Sequence, residues 1–178
     1  KSSNIDSIIE IIKNSGLENV VIADNTTSEE LSNSYLKILN AGIDLVASNK
    51  KSNSGDFKTY AQIRNLIQNK GRFFYYETNV GAGLPVIDTI KHLYNSADNI
   101  TKIRGVFSGS LSYLFNHFSE RNDSFSDILL EAKNKGFTEP DAREDLCGLD
   151  VARKLIILAR EIGVEVELSD VKIQNLIR

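Results

Sequence analysis

Residues 19–50 read NVVIADNTTSEELSNSYLKILNAGIDLVASNK, and their pattern decides the fold. Residues 19–23 (NVVIA) are a short, β-branched apolar run, as expected of a strand buried in a parallel sheet. Ser28 then opens SEELSNSYLKILNAG, with Glu30 in its first turn and Gly42 just past its end, the marks of a helix signalled at both termini. Residues 44–47 (DLVA) form a second apolar strand. Strand, helix, strand over about 30 residues is a βαβ unit. Such units build parallel sheets with right-handed crossovers.

The pattern extends both ways. Upstream, Ile5, Ile8, Ile9 and Ile12 recur at helical spacing until Gly16, so residues 4–15 read as an amphipathic helix. Downstream, residues 57–68 read as a helix and residues 72–77 (RFFYYE) as a third buried strand. The expectation for residues 1–78 is a partial Rossmann-like, nucleotide-binding domain. Ligands of open sheets lie beyond the carboxyl ends of the strands. Here those ends deliver Asp24, Asn25, Thr26 and Thr27, then Ser48, Asn49 and Lys50, then ETNVGAGLP. Each group could be a cap or a turn, but together they favour a ligand crevice, and Lys50 can reach a carboxylate, carbonyl or phosphate. No G-x-G-x-x-G follows a strand, so the glycine-loop βα unit is expected to be absent. Gly81 and Gly83 read either as a tight turn ahead of a helix from Leu84 to Tyr94, or as a carbonyl-rich loop beside Glu77 able to hold a hard cation.

Composition bounds the rest. The 178 residues are 41% hydrophobic and 25% charged with a net charge of -3, which gives no electrostatic case for nucleic acid or an anionic membrane. No apolar run reaches membrane-spanning length. One cysteine, Cys147, excludes an internal disulfide and fits a reducing, cytoplasmic compartment. His92 and His117 are too far apart for a zinc pair. There is no methionine, so the chain is expected to be an excised piece of a longer protein.

The second half changes character. Residues 100–107 (ITKIRGVF) alternate like a strand, Ser108 or Ser110 caps a helix with Leu111, Leu114, Phe115 and Phe118 on one face, and Ser124 with Asp127 has capping-box spacing. Residues 165–171 (EVELSDV) read as a strand or a tail. This half, residues 79–178, is expected to be an α+β lobe, making the whole an α/β protein. Within it, residues 136–154 read GFTEPDAREDLCGLDVARK and hold five acids: Glu139, Asp141, Glu144, Asp145 and Asp150. Asp150 and Lys154 are four apart and share a helix face, as a surface ion pair or as part of a site. Should Glu139, Asp145, Asp150 and Lys154 converge, they suit a zwitterion, and the lysine could protonate a nascent alkoxide. Cys147 reads as packing. A thiol nucleophile, as an acylating semialdehyde dehydrogenase would need, requires a nearby base.

The run G-F-T-E-P-D-x-R-x-D-L-x-G-x-D-V-A-R-K resembles the signature of homoserine dehydrogenases. ETNVGAGLPVI, FSGSLSYLF and the ADNTT…SNKK pair resemble the same family, most closely the dehydrogenase part of bifunctional aspartokinase–homoserine dehydrogenases. The resemblance runs from about Val20 to the end. It implies reduction of aspartate 4-semialdehyde to homoserine with NADP or NAD as cofactor, on the route to threonine and methionine, in a homodimer or higher homo-oligomer. It implies Lys154 as proton donor with Asp150 as its catalytic partner, and Glu139, Asp145, Asp150 and Lys50 as substrate contacts. Thr26, Ser48, Lys50 and Gly136 fall on cofactor positions. Glu77, Val80, Ala82 and Leu84 fall on a structural sodium site. Ser48 and Cys147 depart from the residues usual in the family. An alternative reading is a non-catalytic dimerisation fragment, pairing through residues 100–107 and unable to bind cofactor.

Overall fold

The computed structural model describes residues 4–138 and 141–176. Helix α1 (Ile5–Ser15) starts where the Asn4 side chain accepts the Asp6 amide and stops at Gly16, whose φ of 68° an L side chain rarely adopts. Strands β1 (Val21–Asp24), β2 (Asp44–Ala47) and β3 (Phe74–Tyr75) then pair in parallel in the order β1-β2-β3. Val21 lies opposite Asp44 and Asp24 opposite Ala47, so the carboxyl ends are level.

The first crossover is broken into α2 (Glu29–Asn33) and α3 (Tyr35–Asn40). The break falls at Ser34, where a single expected helix should continue. Ser32 and Ser34 hydroxyls bond back to the carbonyls of Glu29 and Glu30, competing with the helical ladder. The second crossover is a single turn, α4 (Lys51–Ser54), followed by α5 (Phe57–Lys70), which Asp56 caps.

The sheet buries only one face. Leu45, Ala47 and Phe74 pack with Tyr35, Ile38 and Leu39 of α3 and Ile63 of α5. Val21, Val46, Phe73 and Tyr75 point the other way and are exposed. The apolar runs had implied cover on both sides. Among the described residues both crossovers lie against the same face, and alternate side chains of each strand are left in water.

After β3 a 3-10 turn (Glu77–Asn79) leads to α6 (Val86–Asn95), which Pro85 precedes. Residues 100–107, expected as a strand, have no ladder partner among the described residues and run as irregular chain. Ile103 and Phe107 pack on the first core, while Val106 is 80% exposed. Alternation prepares a strand, but only a partner backbone completes one. Next come α7 (Gly109–Glu120), capped by Ser108, α8 (Phe125–Asn134), capped by Ser124, α9 (Ala142–Leu146) and α10 (Leu149–Glu161). Residues 165–171 form no strand; a 3-10 turn occupies Leu168–Asp170.

Leu114, Ile128, Ala132 and Leu146 make a small second core. Ile157 and Leu158 of α10 and Ile87 of α6 belong to the first core. Helix α10 therefore reaches from the second half back to the sheet.

Candidate functional site

Lys50 stands where β2 has ended and α4 is about to begin. Gly148, with φ at 78°, turns the chain out of α9 into α10. The first turn of α10 carries Asp150, and Lys154 follows one turn later. Asp150 Oδ1 is 3.1 Å from Lys50 Nζ, and its Oδ2 is 2.6 Å from Lys154 Nζ. Lys154 Nζ also donates to the Phe107 carbonyl at 2.7 Å. These contacts occupy two of the three donors of the ammonium.

The three side chains are only 28, 22 and 17% exposed for Lys50, Asp150 and Lys154. Burial pushes the Asp150 carboxyl upward, but the Lys154 hydrogen bond and the Lys50 charge outweigh it and leave it below its ordinary value. Asp150 is thus an anion at neutral pH, bridging two cations. The sequence paired it with Lys154; the fold adds Lys50.

Around this trio the strand ends are fixed by Asp24, which is 1% exposed. Its carboxylate accepts from Tyr35 Oη, from Asn49 Nδ2 at 3.0 Å and from the Thr26 amide at 2.8 Å. Burial raises its pKa, and these hydrogen bonds more than reverse the shift, so it is held below the ordinary carboxylate value. Its carbonyl receives the Ser48 amide at 3.0 Å. Thr26 and Ser48, both expected to contact cofactor, are therefore set on neighbouring strand ends by one residue.

Asp145 is 6% exposed and accepts from Ser110 Oγ at 2.9 Å. Ser110 also lines a cleft of about 430 Å³ with Gly109, Tyr113 and Phe137. The residue considered as a helix cap is instead bound to an expected substrate contact, while Ser108 makes the cap. A second cleft, about 410 Å³, lies by Leu17, Asn19 and Gly42 near the amino ends of β1 and β2, away from these groups.

Gly136 stops α8 with φ at 73°, which accounts for a glycine there, and no atom within 4 Å would meet an added Cβ. Among the described residues no hydrogen bond ties it to the lysine–aspartate trio. Glu139 lies outside the described residues.

The Glu77 carboxylate caps α6, accepting the amides of Ile87 at 2.8 Å and Asp88 at 3.0 Å. Ala82 is held at φ 53°, and among the described residues no backbone amide donates to the carbonyls of Val80 or Ala82, whereas that of Leu84 accepts the Val86 amide at 2.8 Å. A carboxylate beside unspent carbonyls fits a hard cation. Among the described residues no cluster of three or more His, Cys, Asp or Glu side chains could hold a metal, so such a cation would depend on backbone oxygen.

Sequence reasoning missed a buried polar network behind the trio. Arg160 and Glu161, at the end of α10, are 4% and 9% exposed. Glu161 accepts from Tyr76 Oη at 2.7 Å and lies 3.8 Å from Arg64 and 3.5 Å from Lys91. Asn53 donates to Asn79, and Asn79 donates to the Ala47 carbonyl, at 2.9 and 3.0 Å. The only sequence signal was two charges closing an apolar helix, a pattern usual at solvated ends.

Residues 1–77 match the family model described as "Homoserine dehydrogenase, NAD binding domain", and residues 85–178 match "Homoserine dehydrogenase". The chain is 45% identical over 174 residues to a bifunctional aspartokinase/homoserine dehydrogenase of Buchnera aphidicola, covering 98% of this chain and 21% of that protein. It is 44% identical over 168 residues to a homoserine dehydrogenase of Schizosaccharomyces pombe, covering 92% and 44%. Its structure resembles a hyperthermophilic archaeal homoserine dehydrogenase in complex with NADPH, with a TM-score of 0.74 and 27% identity over 86% of this chain and 46% of that one. The chain thus spans about a fifth of the bifunctional relative's length. Among the described residues no helix is long and apolar enough to cross a membrane.

Proposed function

Because the chain belongs to the homoserine dehydrogenase family, we propose that it is part of an enzyme that reduces aspartate 4-semialdehyde to homoserine. The observation that carries this reading is Asp150 bridging Lys50 and Lys154 at the carboxyl ends of the strands. NADPH or NADH, when bound, supplies the hydride. The residues present suit such a ligand, since Thr26, Ser48 and Lys50 offer hydroxyls and an ammonium where open sheets bind nucleotides. Gly136 is assigned to the cofactor on the family resemblance alone.

In the proposed mechanism Lys154 gives the proton to the alkoxide oxygen as negative charge develops there. Its ammonium is held by Asp150 and by the Phe107 carbonyl, which aim the remaining donor. Asp150, kept anionic by its two neighbours, restrains the lysine rotamer. Lys50 presents a second positive charge at the rim, suited to substrate or cofactor oxygens. Asp145, fixed by Ser110 beside the cleft, and Glu139 suit the substrate ammonium. Residues 1–78 then serve the nucleotide and residues 79–178 the substrate, a division supported by the two matched regions, although α10 of the second region packs on the first core.

A sodium ion at Glu77, Val80, Ala82 and Leu84 is part of the proposal, supported by the carbonyl-rich turn. Self-association into a homo-oligomer is included too, supported by Val106, 80% exposed on a stretch that has no strand partner among the described residues.

Lys154→Ala in the full-length enzyme should lower kcat for aspartate 4-semialdehyde reduction by about a hundredfold or more, the loss expected for a general acid. Its far-ultraviolet circular dichroism should match the wild type. A variant turning over near the wild-type rate would exclude this mechanism.

A further inference from the structure

Helix α4 poses a problem that leads to a residue with no assigned role. It is one turn long, and four residues cannot sustain a helix by themselves. Yet Lys50 is attached to its first residue, so the placement of that ammonium depends on this turn holding its shape. The Lys50 carbonyl accepts the amides of Asn53 at 3.1 Å and Ser54 at 3.0 Å, and the Ser54 hydroxyl at 2.8 Å.

At the other end, carbonyls that an α-helix leaves unpaired need donors. Arg160 supplies them. Its Nη1 donates to the Asn53 carbonyl at 3.0 Å and its Nη2 to the Gly55 carbonyl at 2.7 Å. The rest of the guanidinium is equally committed. Nε and Nη2 bond the Val166 carbonyl at 3.2 and 2.8 Å, and Nη2 lies 3.2 Å from Glu167 Oε2. The Phe57 and Tyr60 rings cover it, with the guanidinium carbon 5.4 and 5.0 Å from their centroids. The Arg160 side chain is 0% exposed. A cation at the carboxyl end of a helix is also favoured by the helix dipole.

Arg160 and Asp150 belong to the same helix. Helix α10 therefore grips α4 at both ends, by Asp150 on the Lys50 ammonium and by Arg160 on the last carbonyls. A third set of bonds fixes the turn sideways, through Asn53 to Arg64 at 2.8 Å and to Asn79 at 2.9 Å. We propose that Arg160 is a positioning residue, clamping α4 so that Lys50 stays within reach of Asp150 and of the bound substrate. The importance given to Lys50 rests on the dehydrogenase reading above; the clamp itself rests on the distances.

The test is a double-mutant cycle in the full-length dehydrogenase, read on the Asp150 carboxyl, whose facing charges are Lys50 and Lys154. Carbon-13 labelling of aspartate, assigned with Asp150→Asn, gives its titration midpoint. Lys50→Met should raise that midpoint, because a neighbouring cation is lost. Arg160→Met should raise it as well, and should add nothing in the Lys50→Met background. An Arg160→Met midpoint equal to the wild type, or a shift that adds fully to that of Lys50→Met, would overturn the proposal. Should Arg160→Met fail to fold, Arg160→Lys is judged by the same cycle, since an ammonium cannot reproduce the guanidinium fork. In parallel, Arg160→Met should lower kcat/KM for homoserine by about tenfold or more through misplaced geometry. That loss should shrink below about twofold once Lys50 is absent, as coupled sites require. A wild type with no homoserine turnover would refute the dehydrogenase reading, and the Asp150 titration would still decide on Arg160.

Discussion

The two cores place their ion pairs differently. The first, around the sheet, encloses Arg160 and Glu161 and stacks Arg64 on Tyr60 and Tyr76, with its guanidinium carbon 4.5 and 4.4 Å from their centroids. The second, around Leu114, has one buried acid beside it, Asp145 bonded to Ser110, and keeps its ion pairs outside, with Glu131 bonded to Lys135 and Arg121 at the surface. Charges taken out of water hold only if every partner is present, so the first core is rigid by obligation. Exposed pairs can be lost singly at little expense. The difference matters because Lys50 and Lys154 both stand on elements anchored in the first core.

Removing Glu161 should break that contrast most severely. Glu161→Ala strands Tyr76 Oη and leaves Arg64 and Lys91 without their anion, and should cost about 4 kcal/mol in urea unfolding. A loss under about 1 kcal/mol would mean that the buried charge is as dispensable as a surface pair. Leu114→Ala, in the second core, should cost about 3 kcal/mol as an ordinary apolar truncation.

At the small end lies Glu131. Hydrogen bonds from Lys135, Arg121 and Tyr113 hold its carboxyl down to about 2 from an ordinary 4.5. A depressed carboxylate stabilises the fold above its unfolded pKa, and that contribution is lost as pH falls through the folded one. Glu131→Gln should therefore lower the thermal midpoint at pH 7, but only by the small amount that an exposed network contributes. That difference should close as pH falls between about 4.5 and 2, and should be smaller in high salt. A large difference at neutral pH would show that this surface network contributes more than exposed pairs do.

What the sequence revealed was what is local. Asp150 and Lys154 sit four apart, and helix geometry alone places them together. The βαβ alternation from Asn19 to Lys50 needed only periodicity and end signals. Lys50 was recognised by its place after a strand, but its partner lies far along the chain, and no spacing rule connects them. The strand expected over residues 100–107 failed for the same reason, because alternation is a property of a segment and pairing is a property of two. Arg160 and Glu161 were hardest to read. Their burial depends on α4, β3 and α6 arriving around them, and a charged pair closing an apolar helix is most often solvated.

The bare side of the sheet has a thermal consequence. Val21, Val46, Phe73 and Tyr75 leave hydrocarbon and aromatic surface exposed, with the Phe73 and Tyr75 rings stacked 5.9 Å apart in nearly parallel planes. Covering that surface would release its hydration water, so docking there would carry a negative heat-capacity change. The same contact weakens on cooling, because apolar burial is driven by entropy near room temperature. Any such docking would tighten with warmth, within the range where the fold survives.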